Sequence, residues 1–341
     1  MTLPVYRPWG KLPWIMARMP NLGWSLLGCV GTERRSLAAW EALSVSNLLS
    51  QVRFILVHDP VSTRFFQTAE SRLEERKKTL GEGGITISNE DTLDLLCRSS
   101  EIVDCANRFV QSATGNLIID LSSFPKRFFF PILKIIMRSA DAHNLIVTYT
   151  LPEGYGSELA SNPMDWAPLP LFREHYDEAA PEMTPSRRTL IIGIGFEPLG
   201  LPNILKASYQ DIPVKMLFPF PPGPPYYGRA WELVRQLEVN LQAKNPELIR
   251  IDPWNVSSIF DRICAISDHG QRLVTFAPFG PKTVSLAMCL YAISAERTAA
   301  AYYTQPREYN PDYTTGVATK DTVAQIYAYL VRIDGRNLYS L

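Results

Sequence analysis

The chain has 341 residues, enough for about two domains at ~100 to 200 residues each. With 46% hydrophobic and 20% charged residues it has a globular composition, neither disordered nor membrane-embedded. Lys plus Arg and Asp plus Glu balance at 34 each, so no global field draws the protein onto long nucleic acid or an anionic membrane, and any anion site has to be local.

Residues 1 to 23 are rich in Pro, Trp and Arg and read as an extended arm over the first domain. The apolar stretch from Leu12 to Val30 is broken by Arg18, Pro20 and Asn21 and lacks the basic start and cleavage site of a signal peptide. No run reaches the roughly 18 uninterrupted apolar residues of a membrane span. Cys29, Cys97, Cys105, Cys264 and Cys289 have no CxxC spacing, which suits reduced thiols in a cytoplasmic protein.

Residues 24 to 155 read as alternating strands and helices. Strands are expected at Trp24 to Val30, Val52 to Val57, Ile85 to Ser88, Leu117 to Leu121 and Leu145 to Tyr149. Helices are expected from Ser36 to Leu49, after the strand end His58-Asp59-Pro60 to about Leu80, from Asn89 or Asp91 through Val110, and after Pro125-Lys126. Residues 156 to 187, with Pro163, Pro168, Pro170, Pro181 and Pro185, read as a linker. Residues 188 to 341 repeat the programme. Strands are expected at Thr189 to Ile194, Val214 to Phe218, Leu248 to Ile251, Leu273 to Phe276 and Thr298 to Tyr303, and helices at 201 to 208, 228 to 242, Val256 to Ser267 and Thr283 to Ala295. Asp334-Gly335 between two apolar runs signals a hairpin.

The fold class is therefore α/β, a tandem duplication of a doubly wound, mostly parallel, Rossmann-like sheet with a C-terminal antiparallel hairpin. Pro-Lys follows a strand in each half, at Lys126 and Lys282, and Tyr-Thr-x-Pro-x-x-Tyr ends at Tyr155 and at Tyr309. Offsets between equivalent positions shrink smoothly, from 164 residues for Glu33 and Glu197 to 154 for Tyr155 and Tyr309.

Ligands of such sheets bind beyond the carboxyl ends of the strands. Lys282 stands first among the candidates there. It opens a helix, with Gly280 allowing close approach and Thr283 offering a hydroxyl, a set that suits phosphate or carboxylate; the alternative is a Pro-initiated helix with a solvated Lys. Lys126 with Arg127 is its first-half counterpart. Glu33, Arg34 and Arg35 either surround a ligand with one acid and two cations or cap a solvated helix. Glu197 repeats the acid without the arginines. There is no GxxxxGK[ST], GxGxxG, HExxH or GxSxG, so neither a P-loop, zinc catalysis nor a Ser-His triad is supported; no metal site is expected, and any cofactor and catalytic residue are unknown.

The stretch from Thr275 to Ile293, with its turn Phe279-Gly280-Pro281-Lys282-Thr283, resembles CRISPR-associated Rossmann-fold sensor domains, in which a strand ends in a small Gly-Thr-Lys-type turn that opens a helix. That resemblance implies an antiviral-defence sensor whose paired strand-end clefts bind a cyclic oligonucleotide, here as a pseudo-dimer within one chain. The expected function is recognition of an anionic, nucleotide-like ligand. An enzyme acting on a phosphorylated or sugar-nucleotide substrate through Glu33, Glu197 or Asp252, and a scaffold subunit binding a protein partner through its arm or linker, stand beside it.

Overall fold

The structure is a computed structural model that describes residues 6–19, 23–113, 115–156, 160–173, 188–195, 212–220, 228, 230–232, 234–235 and 246–341. Glu197, the helix expected over 201 to 208, most of the helix expected over 228 to 242 and much of the expected linker lie outside these residues.

In chain order the strands used below are β1 (Trp9–Lys11), β2 (Trp24–Val30), β3 (Leu49–His58), β4 (Thr92–Asp94), β5 (Gly115–Asp120), β6 (Ala142–Thr150), β7 (Ala167–Pro168), β8 (Arg188–Gly193), β9 (Val214–Pro219), β10 (Glu247–Ile251), β11 (Leu273–Pro278), β12 (Ala299–Tyr303), β13 (Ile326–Ile333) and β14 (Arg336–Asn337). The helices are α1 (Ala38–Ser44), α2 (Phe66–Glu82), α3 (Ser99–Ser112), α4 (Lys126–Arg138), α5 (Val256–Ile266) and α6 (Lys282–Ser294).

The chain divides into two units, Met1–Asn162 with Arg307–Leu338, and Pro163–Pro306 with Tyr339–Leu341. Each is mixed α/β around a mostly parallel sheet. In the first unit the order is β1-β13-β6-β5-β2-β3-β4, and the five strands from β6 to β4 are parallel. In the second it is β10-β9-β8-β11-β12-β7, with all but β7 parallel. Both orders place the first strand of the unit between its second and fourth. Both also put one antiparallel strand beside the fifth.

Strands covered on both faces need continuous apolar runs, and β2 (WSLLGCV) is buried throughout. The helices that follow β5 and β11 are sunk just as deeply, with Phe128, Phe129 and Phe130 of α4 and Leu286 to Leu290 of α6 wholly enclosed. An all-round apolar helix belongs in a core rather than on a surface.

Four expectations are corrected. The second unit does not run from 188 to 341, because residues 307–338 return to the first unit. There β13 pairs antiparallel with β6, from Ile326↔Thr150 to Leu330↔Ile146, and β1 pairs on its other side. An apolar strand such as IYAYLVRI lowers its free energy by covering an open sheet edge, and the edge of β6 meets that need. The arm is accordingly in part an edge strand rather than only a cover. The third strand is Thr92–Asp94, not Ile85 to Ser88, since Ile85 and Ile87 pack sideways against the cluster of Val30, Leu37, Phe54 and Leu73. The helix expected from Asn89 or Asp91 starts at Ser99, where Glu101 accepts from the Arg98 amide at 2.8 Å. The Asp334-Gly335 hairpin is present, with φ of 47° and 75° and Ile333 paired to Arg336, the positive-φ pair a tight hairpin requires.

Candidate functional site

In a parallel sheet the loops on either side of the first strand leave in opposite directions where the order reverses, and a crevice opens at the strand ends. The reversal falls between β2 and β5 in the first unit and between β8 and β11 in the second.

In the first unit Gly31 follows β2, and a Cβ added there would lie 2.8 Å from Ser123 Cβ, so only glycine lets the two loops approach this closely. Asp120 ends β5 and is 2% exposed. Its Oδ1 accepts from the Ser122 hydroxyl at 2.7 Å and the Thr148 hydroxyl at 2.9 Å. Burial pushes this carboxyl up to about 6, against the pull of those hydrogen bonds and of Arg35. Thr150, at the end of β6, donates its N–H to Ser122 Oγ at 2.8 Å, and its carbonyl accepts from Arg35 Nη1 at 3.0 Å. Among the described residues the hydroxyls of Thr150 and Ser123 have no hydrogen-bond partner.

Arg35 is buried and is held by Glu33, Nε to Oε2, at 2.5 Å. Burial opposes its charge, but Glu33 together with Tyr149 and Tyr155 outweighs that and raises the guanidinium well above its ordinary range. It lies over the Tyr149 ring at 5.1 Å. Tyr155 and Tyr313 meet edge to face at 5.6 Å, and burial raises both phenols. Tyr313 arrives on the returning segment, whose Thr314 and Thr315 pair with Tyr155 and Gly154. Two arginines of the α2 region fasten this segment. Arg72 donates to the Pro311 carbonyl at 2.5 Å and to Asp312 at 2.6 Å, and Arg64 lies 3.5 Å from Glu308. Beside them His58 Nδ1 meets Glu70 at 2.7 Å, and burial, Glu70 and Glu308 together raise Asp59 to about 6.

Of the sequence-derived candidates, the structure brings Glu33 and Arg35 together at this crevice. Lys126, 8% exposed, opens α4 just beyond Ser123, where no side chain caps the helix. Arg34 is exposed and makes no ion pair among the described residues. Arg127 turns to the Leu95 and Cys97 carbonyls, at 3.0 and 2.5 Å, and braces the segment leading to α3.

The second unit is built differently. A Cβ on Gly195 would sit 2.1 Å from the Phe279 carbonyl oxygen, and one on Gly280 would sit 2.9 Å from that of Ile194. Gly280 therefore serves loop-on-loop packing. Lys282 is half-buried at the start of α6, with Thr283 beside it, 1% exposed. Trp166 stacks on Phe279 at 6.1 Å and on Tyr302 at 5.6 Å.

Asp120, Thr148 and Tyr313 escaped the sequence reading. An acid inside the apolar run NLIIDL was a legible signal for the first, since a carboxylate in a central strand needs a reason. Nothing local marks Tyr313. Among the described residues no cluster of three or more His, Cys, Asp or Glu is placed to hold a metal ion, and no helix is long and apolar enough to cross a membrane. Known protein families yield no match to the chain, and neither do curated proteins.

Proposed function

We propose that the protein is a ligand-binding, sensor-type protein made of two Rossmann-like units from a duplicated ancestor, and that the strand-end crevice of the first unit recognises an anionic, nucleotide-like ligand, cyclic oligonucleotides included. The observation that carries this reading is the gathering of buried cations and unpartnered hydroxyls at the β2/β5 reversal: Arg35, Lys126, Ser123 and Thr150. Buried polar groups without partners destabilise a fold, and a ligand oxygen in hydrogen-bonding reach would satisfy them. The uncapped start of α4 adds backbone donors and the positive end of the dipole. Tyr149, Tyr155 and Tyr313 supply flat surfaces suited to a base.

Isothermal titration against mononucleotides, dinucleotides and cyclic oligonucleotides tests the proposal. Binding is expected for at least one member, with roughly tenfold or greater loss in Lys126→Met and in Ser123→Ala. A panel in which nothing binds, or binding indifferent to both changes, would refute it.

One observation favours an enzyme acting on a phosphorylated substrate instead. The Asp120 carboxyl titrates near the pH at which a proton acceptor works best. Turnover of the same panel, followed by phosphorus NMR and abolished by Asp120→Asn, would establish that reading; no turnover would remove it.

A further inference from the structure

Among the described residues of the second unit, two buried threonine hydroxyls have no hydrogen-bond partner. Thr283 Oγ1 and Thr304 Oγ1 make no hydrogen bond, in residues 1% and 3% exposed. Thr283 is the second residue of the 13-residue helix α6, which begins without a side-chain cap. Side chains on a helix tilt toward its N-terminus, so the Thr283 hydroxyl leans toward the end where Lys282 and the first-turn amides gather. Thr304 directly follows β12, which pairs parallel with β11, the strand leading into α6. It therefore lies at the same end of the sheet as that helix start. The Phe279 and Tyr303 rings, 5.4 Å apart, join the two loops.

The first unit repeats the arrangement. Lys126 opens α4, and Thr150, the counterpart of Thr304, has no hydrogen-bond partner for its hydroxyl among the described residues; a second such hydroxyl, on Ser123, lies three residues before the lysine rather than one after it. One orphaned hydroxyl is an accident of packing. A hydroxyl recurring at the same strand end beside a recurring lysine, with a second one near each helix start, is a pattern, and its groups share one property: each donates a hydrogen bond.

We infer that the start of α6, with Lys282, Thr283 and Thr304, is a binding site for a tetrahedral oxyanion, a phosphate ion or the phosphoryl group of a monoester. Such a group has acceptor oxygens to spare and negative charge to match the lysine and the helix end. The Gly195 to Phe279 and Gly280 to Ile194 approaches fix the backbone of the turn before the ligand arrives. The site belongs to the second unit and stands independently of the ligand assigned to the first.

Thr283→Val and Thr304→Val each remove one hydroxyl and preserve shape. Thermal denaturation of the full chain would be followed in inorganic phosphate, in methyl phosphate and in chloride of equal ionic strength. A saturable rise in Tm with phosphate is expected for the wild type. Each valine variant, and Lys282→Met separately, should weaken binding roughly tenfold by titration calorimetry. Without phosphate the valine variants should melt at or above the wild-type temperature, because an unsatisfied buried hydroxyl has been removed. A response to methyl phosphate alone assigns the site to monoesters, and a response to both admits the free ion. The inference is overturned if neither phosphate acts beyond chloride at tens of millimolar, if valine and wild type bind alike, or if the valine variants melt lower without ligand.

Discussion

Asp120→Asn isolates the electrostatic cost of the first crevice. The carboxyl rises from 3.8 to about 6 on folding, so the native state holds its proton more tightly than the unfolded chain. Its contribution is therefore fully favourable only below about pH 4. As pH climbs through about 6 stability is lost, reaching roughly 3 kcal/mol when the group is ionised, at about 1.4 kcal/mol per pH unit. Asparagine keeps an Oδ1 to accept from Ser122 and Thr148 and carries no charge to desolvate. Its amide needs a new partner, which offsets part of the gain. The variant should be about 1 to 3 kcal/mol more stable than wild type at pH 7.5 and level with it near pH 4. Native-state hydrogen exchange of β5 and β6 across pH 4 to 8 reads this unit without interference from the other. Parallel pH profiles for the two proteins, or a variant less stable at pH 7.5, would refute the reasoning.

The two adjacent arginines should separate sharply. Arg35→Met removes the ion pair to the largely buried Glu33 carboxylate and the hydrogen bond to the Thr150 carbonyl and should cost about 3 to 5 kcal/mol by urea denaturation, whereas Arg34→Met should stay within about 0.5 kcal/mol. Gly195→Ala forces a methyl onto the Phe279 carbonyl and should destabilise the second unit by at least about 2 kcal/mol, seen as lost protection in β8 and β11 with β2 and β5 unaffected. Arg72→Ala removes two hydrogen bonds to the returning segment and should speed limited proteolysis between Glu308 and Gly316, leaving β13 protected through its pairing with β6.

What the sequence disclosed depended on how local the cause was. Strands such as β2, β5 and β11 are buried on both faces, and their unbroken apolar runs announce that directly. The strand β13 announces itself as well, but not its partner, because an edge accepts a strand from anywhere in the chain. Arg34 and Arg35 are indistinguishable as letters; only the turn Arg34–Ser36 sends one side chain inward and the other to solvent. Gly280 reads equally well as a cradle for an anion or as a close approach of loops. The choice requires Gly195, 85 residues earlier, and appears only when β8 and β11 lie side by side. Asp120 was visible as an anomaly, but the hydroxyls that hold it come from two separate strand ends.

The two units share a strand order and differ where that order reverses. In the second, backbone meets backbone across Gly195 and Gly280, and the rings of Trp166, Phe279 and Tyr302 stack alongside. In the first, Gly31 opposes a serine, and behind it lies a buried ion pair with a carboxyl held near pH 6. A polar interior of that kind is a liability unless covered, and the cover comes from the returning segment with Tyr313, fastened by Arg64 and Arg72. The first crevice is thus incomplete until the chain has passed through the second unit and come back. Release of that segment exposes the polar cluster, so ligand entry at the crevice proposed for the first unit should respond to any change that loosens residues 307–318.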